Sequence, residues 1–170
     1  MSRTLLQHRI LSVEGFPVLT SAGTVEYVRL RMPDWVNVVA RTAEGAWVLV
    51  RQHRWGIDAP TLEIVGGMVD PGEDPAVSAA RELLEESGYG GGALRPLGWV
   101  WSNPAIQDNK TWMYFMDGVV RVGEPHRGPG EEDLEVVLAP ADGLRRLIDD
   151  GTVSHALAVV AIQRVLMLGL

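Results

Sequence analysis

Short stretches rich in β-branched and aromatic residues follow one another through the first third of the chain, and turn-forming residues separate them. The breaks fall at Gly15, at Gly23, at the pair Pro33-Asp34 and at the pair Glu44-Gly45. This alternation predicts an antiparallel β layer. The predicted strands are Leu5–Val13, Tyr27–Met32, Trp35–Ala40 and Trp47–Gln52.

A helix is predicted immediately after the glycine-rich segment Gly66–Gly72, which is itself predicted to be a loop. Asp74 suits the N-cap position, because its carboxylate can accept a hydrogen bond from a free backbone amide of the first turn. Pro75 suits the first helical position and Gly88 suits the end of a helix. The predicted helix therefore covers Pro75–Ser87.

The second half of the chain predicts further strands followed by two helices, with a polar loop, Arg121–Asp133, before the last strand. The final helix is apolar around much of its circumference, which favours burial in the core or at a subunit interface. The order of elements predicts an α/β (α+β) fold with a sheet between helices. The strands are Leu94–Trp101, Thr111–Val120 and Leu134–Ala139, and the helices are Ala141–Asp149 and Ser154–Leu168.

Length and composition favour one globular domain over residues 1–170, because 46% of the residues are apolar and 22% are charged. The net charge of −7 argues against nucleic acid and anionic membranes as partners. The absence of cysteine excludes disulfides, thiolate catalysis and cysteine-ligated metals. The N-terminus resembles neither a secretory signal nor a membrane span, so a cytoplasmic protein is expected.

Three glutamates of the predicted helix carry the strongest chemical signal. Glu82, Glu85 and Glu86 stand at positions i, i+3 and i+4, so they project from one helical face. A divalent cation relieves the repulsion between such carboxylates, and oxygen ligands favour Mg²⁺ or Mn²⁺. Gly66 and Gly67 let the backbone approach a ligand closely. The pattern indicates metal-assisted phosphate cleavage, although a charge run alone is more often a solvated helix face.

The segment from Gly67 to Tyr89, GMVDPGEDPAVSAARELLEESGY, resembles the Nudix box, Gly-x5-Glu-x7-Arg-Glu-U-x-Glu-Glu-x-Gly-U, where U is bulky and aliphatic. Seven fixed residues at this spacing would occur by chance with a probability on the order of one in a million. Tyr89 is the one departure, and an aromatic ring can still pack at that position. The fixed residues are Gly67, Glu73, Arg81, Glu82, Glu85, Glu86 and Gly88.

The resemblance implies a Nudix α/β/α sandwich with a mixed sheet. It also implies metal ligation by the Gly66 carbonyl and by the glutamates Glu82, Glu85 and Glu86, of which Glu85 and Glu86 are catalytic candidates. Glu73 and Arg81 are implied to support this site through a charge-assisted hydrogen bond.

Segments outside the box resemble the ADP-ribose and nucleoside diphosphate sugar pyrophosphatases of this family. In the stretches Val50–Arg54 and Thr61–Gly67, the resemblance implies that Arg54 contacts phosphate and that Glu63 lies beside the metal or substrate. A surface ion pair is the alternative for both residues. Pro104 resembles the proline of a substrate loop. Its Asn-Pro-Ala context favours nucleoside diphosphate sugars generally, and a plain turn is the alternative.

The general base remains open at this level. Glu131 and Glu132 occupy a loop where related pyrophosphatases carry a catalytic glutamate, but they could equally belong to an ordinary acidic loop. Glu85 would then double as the base.

Side chains that could meet the substrate outside these motifs are more often structural. His155 begins the last helix and could meet the substrate, although a histidine there more often caps or packs. Tryptophans could stack on a base, although strand tryptophans mostly fill cores. These tryptophans are Trp35, Trp55, Trp99, Trp101 and Trp112.

The predicted function is Mg²⁺-dependent hydrolysis of nucleoside diphosphate sugars, with ADP-ribose leading, to a nucleoside monophosphate and a sugar phosphate. One alternative is hydrolysis of a nucleoside triphosphate, a dinucleoside polyphosphate or coenzyme A. Another is a Nudix-fold ligand sensor that has lost catalysis. By resemblance to the same branch, a homodimer is expected in which the strand-rich residues 1–32 take part.

Overall fold

The structure is a computed structural model that describes residues 2–126, 128 and 133–170, and these residues form eleven strands and three helices. The strands are β1 Arg3–Gln7, β2 Ser12–Thr20, β3 Gly23–Arg31, β4 Trp35–Thr42, β5 Trp47–Arg54, β6 Ala59–Glu63, β7 Val65–Met68, β8 Tyr89–Gly90, β9 Ala93–Trp101, β10 Lys110–Arg121 and β11 Glu135–Ala139. The helices are α1 Pro75–Ser87, α2 Gly143–Asp149 and α3 Ala156–Met167.

The larger sheet has eight strands and is mixed. Its backbone order is β11-β5-β4-β10-β8, with β6 paired to β5, β7 to β4 and β9 to β10. The pairing of β4 with β10 is parallel and the other pairings are antiparallel. Helix α1 packs on one face and helices α2 and α3 pack on the other. This arrangement confirms the predicted α/β/α sandwich.

The central strands are apolar on both sides because each face of the sheet is covered by helices. Val38 packs in the cluster that contains Leu83 of α1, whereas its neighbour Val39 packs in the cluster that contains Ile162 of α3. Successive strand residues point to opposite faces, so a strand buried on both sides reads as a continuous apolar run. No helix within the described ranges is long and apolar enough to cross a membrane.

Strands β4 and β5 separate soon after they meet, and this opening positions the site described below. They pair only through Ala40 with Val48 and Arg41 with Trp47. Beyond that point β6 continues the pairing along β5 and β7 continues it along β4. The chain between Glu63 and Gly66 therefore crosses from one side of the opening to the other.

Helix α1 covers the residues predicted from the sequence. The Asp74 carboxylate accepts a hydrogen bond of 2.7 Å from the backbone amide of Ala76, and Pro75 occupies the first turn. Gly88 ends the helix with φ of 72°, and a Cβ at this position would collide with the backbone oxygen of Gly123. Local capping signals therefore determine both ends of the helix.

Two predicted boundaries near the N-terminus were wrong. The predicted strand Leu5–Val13 is divided between β1 and β2 by a turn in which the His8 amide donates to the Leu11 carbonyl. Gly15, interpreted as a break, lies inside β2, where a Cβ would press on Glu26 and Leu5. Glycine within a strand can thus mark a close approach of neighbouring groups and not only a turn.

The predicted loop Gly66–Gly72 begins inside a strand, since β7 runs to Met68. Its two glycines pair with Asn37 and Val36 of β4. Strand β6 was not predicted at all, because its short sequence has little apolar alternation of its own.

Strands β1, β2 and β3 form a separate antiparallel sheet with many exposed apolar side chains. It joins the rest of the protein through a bridge between Leu30 and Gln107 and an ion pair between Arg31 and Asp108. The exposed side chains are Leu5, Leu6, Leu19, Val25, Tyr27 and Val28. A three-stranded sheet normally requires a packed apolar face for stability.

The only lysine of the chain, Lys110, lies among three tryptophans on β9 and β10. Its Nζ is 4.6 Å from the ring centre of Trp99, 5.6 Å from that of Trp101 and 5.4 Å from that of Trp112. We expect Lys110→Gln to lower the free energy of unfolding by about 1 kcal/mol through loss of the cation–π contacts. Lys110→Arg is expected to retain most of the stabilisation from these contacts. Urea unfolding measures both, and equal stability of all three proteins would contradict this role.

Candidate active site

The three glutamates of α1 differ greatly in exposure, although they share one helical face. The Glu86 residue is 4% exposed, the Glu82 side chain is mostly buried and the Glu85 side chain is 43% exposed. The backbone amide of Gly66 donates a hydrogen bond of 3.3 Å to Glu86 Oε2. Strand β7 therefore lies directly against the acidic face of α1.

Arg81 holds the box carboxylates through both sides of its guanidinium. Its Nε and Nη2 donate to the two carboxylate oxygens of Glu73 at 3.0 and 2.9 Å. Its Nη1 donates to Glu82 and to Glu85, each at 2.9 Å. Arg81 Nη2 also donates to the Met68 carbonyl at 3.1 Å, which ties α1 to the end of β7.

These contacts shift the charge equilibria of both partners. The hydrogen bonds from Arg81 lower the pKa of the Glu73 carboxyl to about 2. The hydrogen bonds to Glu73 raise the pKa of Arg81 in return. The pair is therefore ionised over the whole physiological range.

The hydrogen bonds of Arg81 also explain why the carboxylates of α1 do not form a preformed metal site. Among the described residues, no three histidine or acidic side chains lie close enough together to hold a metal ion. Arg81 Nη1 draws one oxygen each of Glu82 and Glu85 towards itself. For all three carboxylates to bind one metal ion, as the sequence predicts, Glu82 and Glu85 must turn away from Arg81.

The donor set nevertheless fits a hard divalent cation. It consists of carboxylates and backbone carbonyls, which Mg²⁺ and Mn²⁺ prefer. A Cβ at Gly67 would overlap the Glu82 carboxylate, so the absence of a side chain there makes room for this group against the backbone. A Cβ at Gly66 would come within 2.5 Å of Asn37 Oδ1 and 2.6 Å of the Val36 carbonyl. Close packing therefore requires glycine at both positions, at Gly67 against the Glu82 carboxylate and at Gly66 against β4.

A second polar network lies on the other side of the opening between β4 and β5. Glu63, which is 2% exposed, accepts two hydrogen bonds from Arg54, at 2.9 and 2.8 Å, and one from Thr61 at 2.6 Å. The His155 Nδ1 atom lies 2.8 Å from Glu63 Oε2. Arg54 and Glu63, predicted from resemblance to act on substrate and metal, are thus bound to each other.

Acidic solution is expected to destabilise the protein through Glu63 and Glu73. Burial raises the pKa of the Glu63 carboxyl, but hydrogen bonds from Arg54, His155 and Thr61 outweigh burial and hold the pKa below its usual range. Both glutamates ionise at lower pH in the folded state than in the unfolded chain, where the pKa is about 4.3. Their stabilising contribution is complete well above that value and is lost as pH falls towards the folded pKa, which is about 2 for Glu73.

The urea midpoint of the wild type should therefore fall steadily between about pH 5 and pH 2.5. The Glu73→Gln variant should start less stable at neutral pH and lose less over the same range. Glu135→Gln, at an exposed position, serves as the matched control. A midpoint that is independent of pH in the wild type would contradict this linkage.

A cavity of about 290 Å³ lies between the two networks. Gly66 and Gly67 border it on the side of the α1 carboxylates, and Arg54 and His155 border it on the side of Glu63. Trp35 and Asn37 of β4 complete its polar and aromatic lining. The sequence therefore brings the box and the segment before it to a single cavity.

The other residues predicted to meet the substrate mostly lie away from this cavity or outside the described residues. Pro104 lies in an exposed turn beside β3 and does not line this cavity. Of the five candidate tryptophans, Trp35 lines the cavity and Trp55 is exposed just after β5. The other three surround Lys110, and they are Trp99, Trp101 and Trp112. Glu131 and Glu132 lie outside the described residues.

Two residues that line the cavity were not predicted from the sequence as its main functional residues. His155 was interpreted mainly as a cap or packing residue, but its side chain makes no capping bond and contacts Glu63 instead. Asn37 was not singled out. The available signal was one polar residue within the apolar strand Trp35–Ala40.

Three known proteins resemble this chain over most of its length. A CMP-5'-(N-acetyl-N-hydroxy-3-aminopropyl)phosphonate hydrolase of Streptomyces rubellomurinus is 32% identical, over 98% of this chain and 81% of its own length. An ADP-ribose pyrophosphatase of Bacillus subtilis is 28% identical, over 79% of this chain and 72% of its own. The crystal structure of an ADP compounds hydrolase, 27% identical, matches with a TM-score of 0.81 and covers 97% of this chain and 89% of the other.

The family model described as the NUDIX domain matches residues 32–157, which include α1, both polar networks and the cavity. With the box glutamates of α1 in place, the chain belongs to the NUDIX family and is a Nudix hydrolase.

Proposed function

We propose that this Nudix hydrolase cleaves the diphosphate bond of nucleoside diphosphate sugars, with ADP-ribose as the leading substrate. The products are a nucleoside monophosphate and a sugar phosphate. The observation that carries the proposal is that Gly66 and Gly67 border a partly apolar cavity and also lie against the α1 carboxylates. A diphosphate at the glycines would place one of its substituents inside that cavity.

We assign the metal-binding role to Glu82, Glu85, Glu86 and the Gly66 carbonyl. Mg²⁺ is the proposed ion and Mn²⁺ is the alternative, because every donor is an oxygen. When bound, the ion supplies charge neutralisation for the diphosphate and lowers the pKa of a coordinated water. Arg81 positions Glu82 and Glu85 and is expected to release part of this contact when the carboxylates turn inward.

Other residues would handle the substrate and the proton. Arg54 lines the cavity with its guanidinium oriented by Glu63, an arrangement suited to a directed hydrogen bond to phosphate. Glu85 is half exposed and is the proposed base among the described residues. Glu131 and Glu132 remain proposed catalytic residues, and Pro104 remains a proposed residue of the substrate loop.

We also propose that residues 1–170 form one domain and that the protein is a cytoplasmic homodimer built partly by β1, β2 and β3. These strands carry an apolar surface that the other described residues leave exposed, and such surfaces typically mark contacts between subunits. Light scattering should give twice the chain mass for the wild type, and Leu19→Asp should reduce it. Val122→Asp, an exposed position outside this sheet, is the control. A monomeric wild type would contradict the proposal.

A second substrate class is favoured by one relative. The Streptomyces protein that matches nearly the whole chain is named as a hydrolase of a CMP phosphonate, which pairs a nucleotide with a phosphonate group. We include this class because the same carboxylates could serve attack on either kind of phosphorus centre.

Phosphorus NMR of reactions with Mg²⁺ distinguishes the candidates. The panel contains ADP-ribose, UDP- and GDP-sugars, a CMP alkylphosphonate, nucleoside triphosphates and coenzyme A. Nucleoside monophosphate and sugar phosphate from the sugars are expected. Preference for the triphosphates or for coenzyme A would overturn the substrate class, and binding without turnover would indicate a sensor.

A further inference from the structure

Asn37 presents an amide donor without a partner among the described residues. The residue is 7% exposed, and its Nδ2 atom makes no hydrogen bond within the described structure. Its Oδ1 packs against Gly66, while the side chain lines the cavity. A buried amide without a partner costs stability, so such a group in a cavity wall points to a ligand that completes it.

His155 presents the complementary chemistry across the cavity. Its Nδ1 lies 2.8 Å from Glu63 Oε2, and the Glu63 carboxylate can only accept a hydrogen bond, so Nδ1 carries the proton. The other ring nitrogen, Nε2, is then an acceptor in the neutral imidazole. The ring lines the cavity, and Glu63 fixes its orientation.

The part of this wall that Asn37 and His155 form favours a neutral ligand group. Glu63 offsets the charge of Arg54 through two hydrogen bonds, and the same carboxylate holds His155. The remaining lining is partly apolar and includes Trp35, Met68 and Leu157. Hydroxyl groups both donate and accept, and a sugar ring also offers C–H surface to an aromatic wall.

We infer that Asn37 and His155 form the subsite that recognises the terminal sugar of the substrate, the one beyond the diphosphate. Asn37 Nδ2 donates to a hydroxyl of this sugar, and His155 Nε2 accepts from one. This inference rests on the proposed function, because the diphosphate must lie at Gly66 and Gly67 for its sugar to reach this wall. Both residues are specificity determinants and take no part in the bond cleavage itself.

Two variants test the subsite with little change in shape. Asn37→Val removes the donor. His155→Asn keeps an N–H near the position of Nδ1 for Glu63 but removes Nε2. Asn109→Val is the matched control, since Asn109 is also buried with unpartnered polar atoms yet does not line the cavity.

The measurement is kcat/KM for ADP-ribose and for the methyl ester of ADP, which keeps the diphosphate ester but lacks the sugar. Each of the first two variants is expected to lose about tenfold on ADP-ribose and less than twofold on the methyl ester, as loss of one hydrogen bond predicts. The Asn109 variant should leave the ratio unchanged. Equal losses on both esters, or none on ADP-ribose, would overturn the subsite.

Two further comparisons separate this inference from its foundation. The loss of kcat/KM in Asn37→Val can also be compared between substrates that differ in the base and substrates that differ in the terminal sugar. If the loss depended on the base and not on the terminal sugar, the cavity would hold the base and the sugar assignment would be wrong. If the wild type cleaved neither ester, the proposed function would fail. Calorimetric binding of ADP-ribose without divalent metal would then test the subsite by itself, with a tenfold weaker affinity expected in both variants.

Discussion

Replacing Glu86 by glutamine is expected to lower kcat with Mg²⁺ by more than about 100-fold, the scale reached by the loss of groups that merely support a metal. Glu86 is almost fully buried against the Gly66 amide, so an amide of the same size should fit without disturbing α1. Glu85→Gln should show a comparable loss of turnover. The measurement is the rate of ADP-ribose cleavage over a range of Mg²⁺ concentrations.

Melting temperature separates loss of chemistry from loss of fold in these variants. Mg²⁺ should raise the melting temperature of the wild type, because a ligand that binds only the folded state stabilises it. The rise should be reduced in Glu86→Gln and retained in the exposed control Glu135→Gln. Full activity in either the Glu85 or the Glu86 variant would remove that residue from the proposed site.

Arg81→Met is expected to reduce both stability and activity. The guanidinium is partly buried and bonds to Glu73, Glu82, Glu85 and the Met68 carbonyl. Its removal takes away the positive charge that the three carboxylates share and loosens α1 from β7. After allowance for partial exposure, we expect a loss of about 2 kcal/mol in the free energy of unfolding. A protein of this size should then melt about 4–8 °C lower.

Arg81→Lys is the matched variant, because it keeps the charge but lacks the planar fork that reaches two carboxylates at once. It should recover part of the stability and little of the activity, which we expect to fall by about 10- to 100-fold. If Arg81→Met melted like the wild type in the absence of metal, Arg81 would not be the organiser of the box carboxylates.

The sequence predicted best where the determining interactions are local. Helix α1 has its N-cap, its first-turn proline and its terminating glycine within fifteen consecutive residues, so both ends could be predicted. The box residues share that helix and the strand just before it. Their chemical role could therefore be inferred from spacing alone.

Contacts between distant segments could not be predicted in the same way. His155 meets Glu63 only because α3 packs against the sheet where β4 and β5 separate. Asn37 faces the cavity only because β7, and not β5, pairs with that part of β4. The opening of the sheet depends on pairing across the whole domain, and short strands such as β6 carry weak local patterns.

The family resemblance outside the box predicted the position of some cavity residues and not of others. It indicated Arg54 and Glu63, of which Arg54 lines the cavity and the buried Glu63 binds Arg54. It did not indicate that they bind each other, because a family pattern records which residue types occur and not which partners they choose. Pro104, in contrast, lies in a turn that packs against β3 and not at the cavity.

Hydrolysis of ADP-ribose in water enriched in oxygen-18, with Mg²⁺ and with phosphorus NMR of the products, tests the central claim most directly. Attack of water on phosphorus predicts AMP and ribose 5-phosphate from the wild type, with the label in the phosphate of one product and almost none from Glu86→Gln. Products without label on phosphorus, or equal turnover by the variant, would contradict the claim that the α1 carboxylates drive cleavage of the diphosphate.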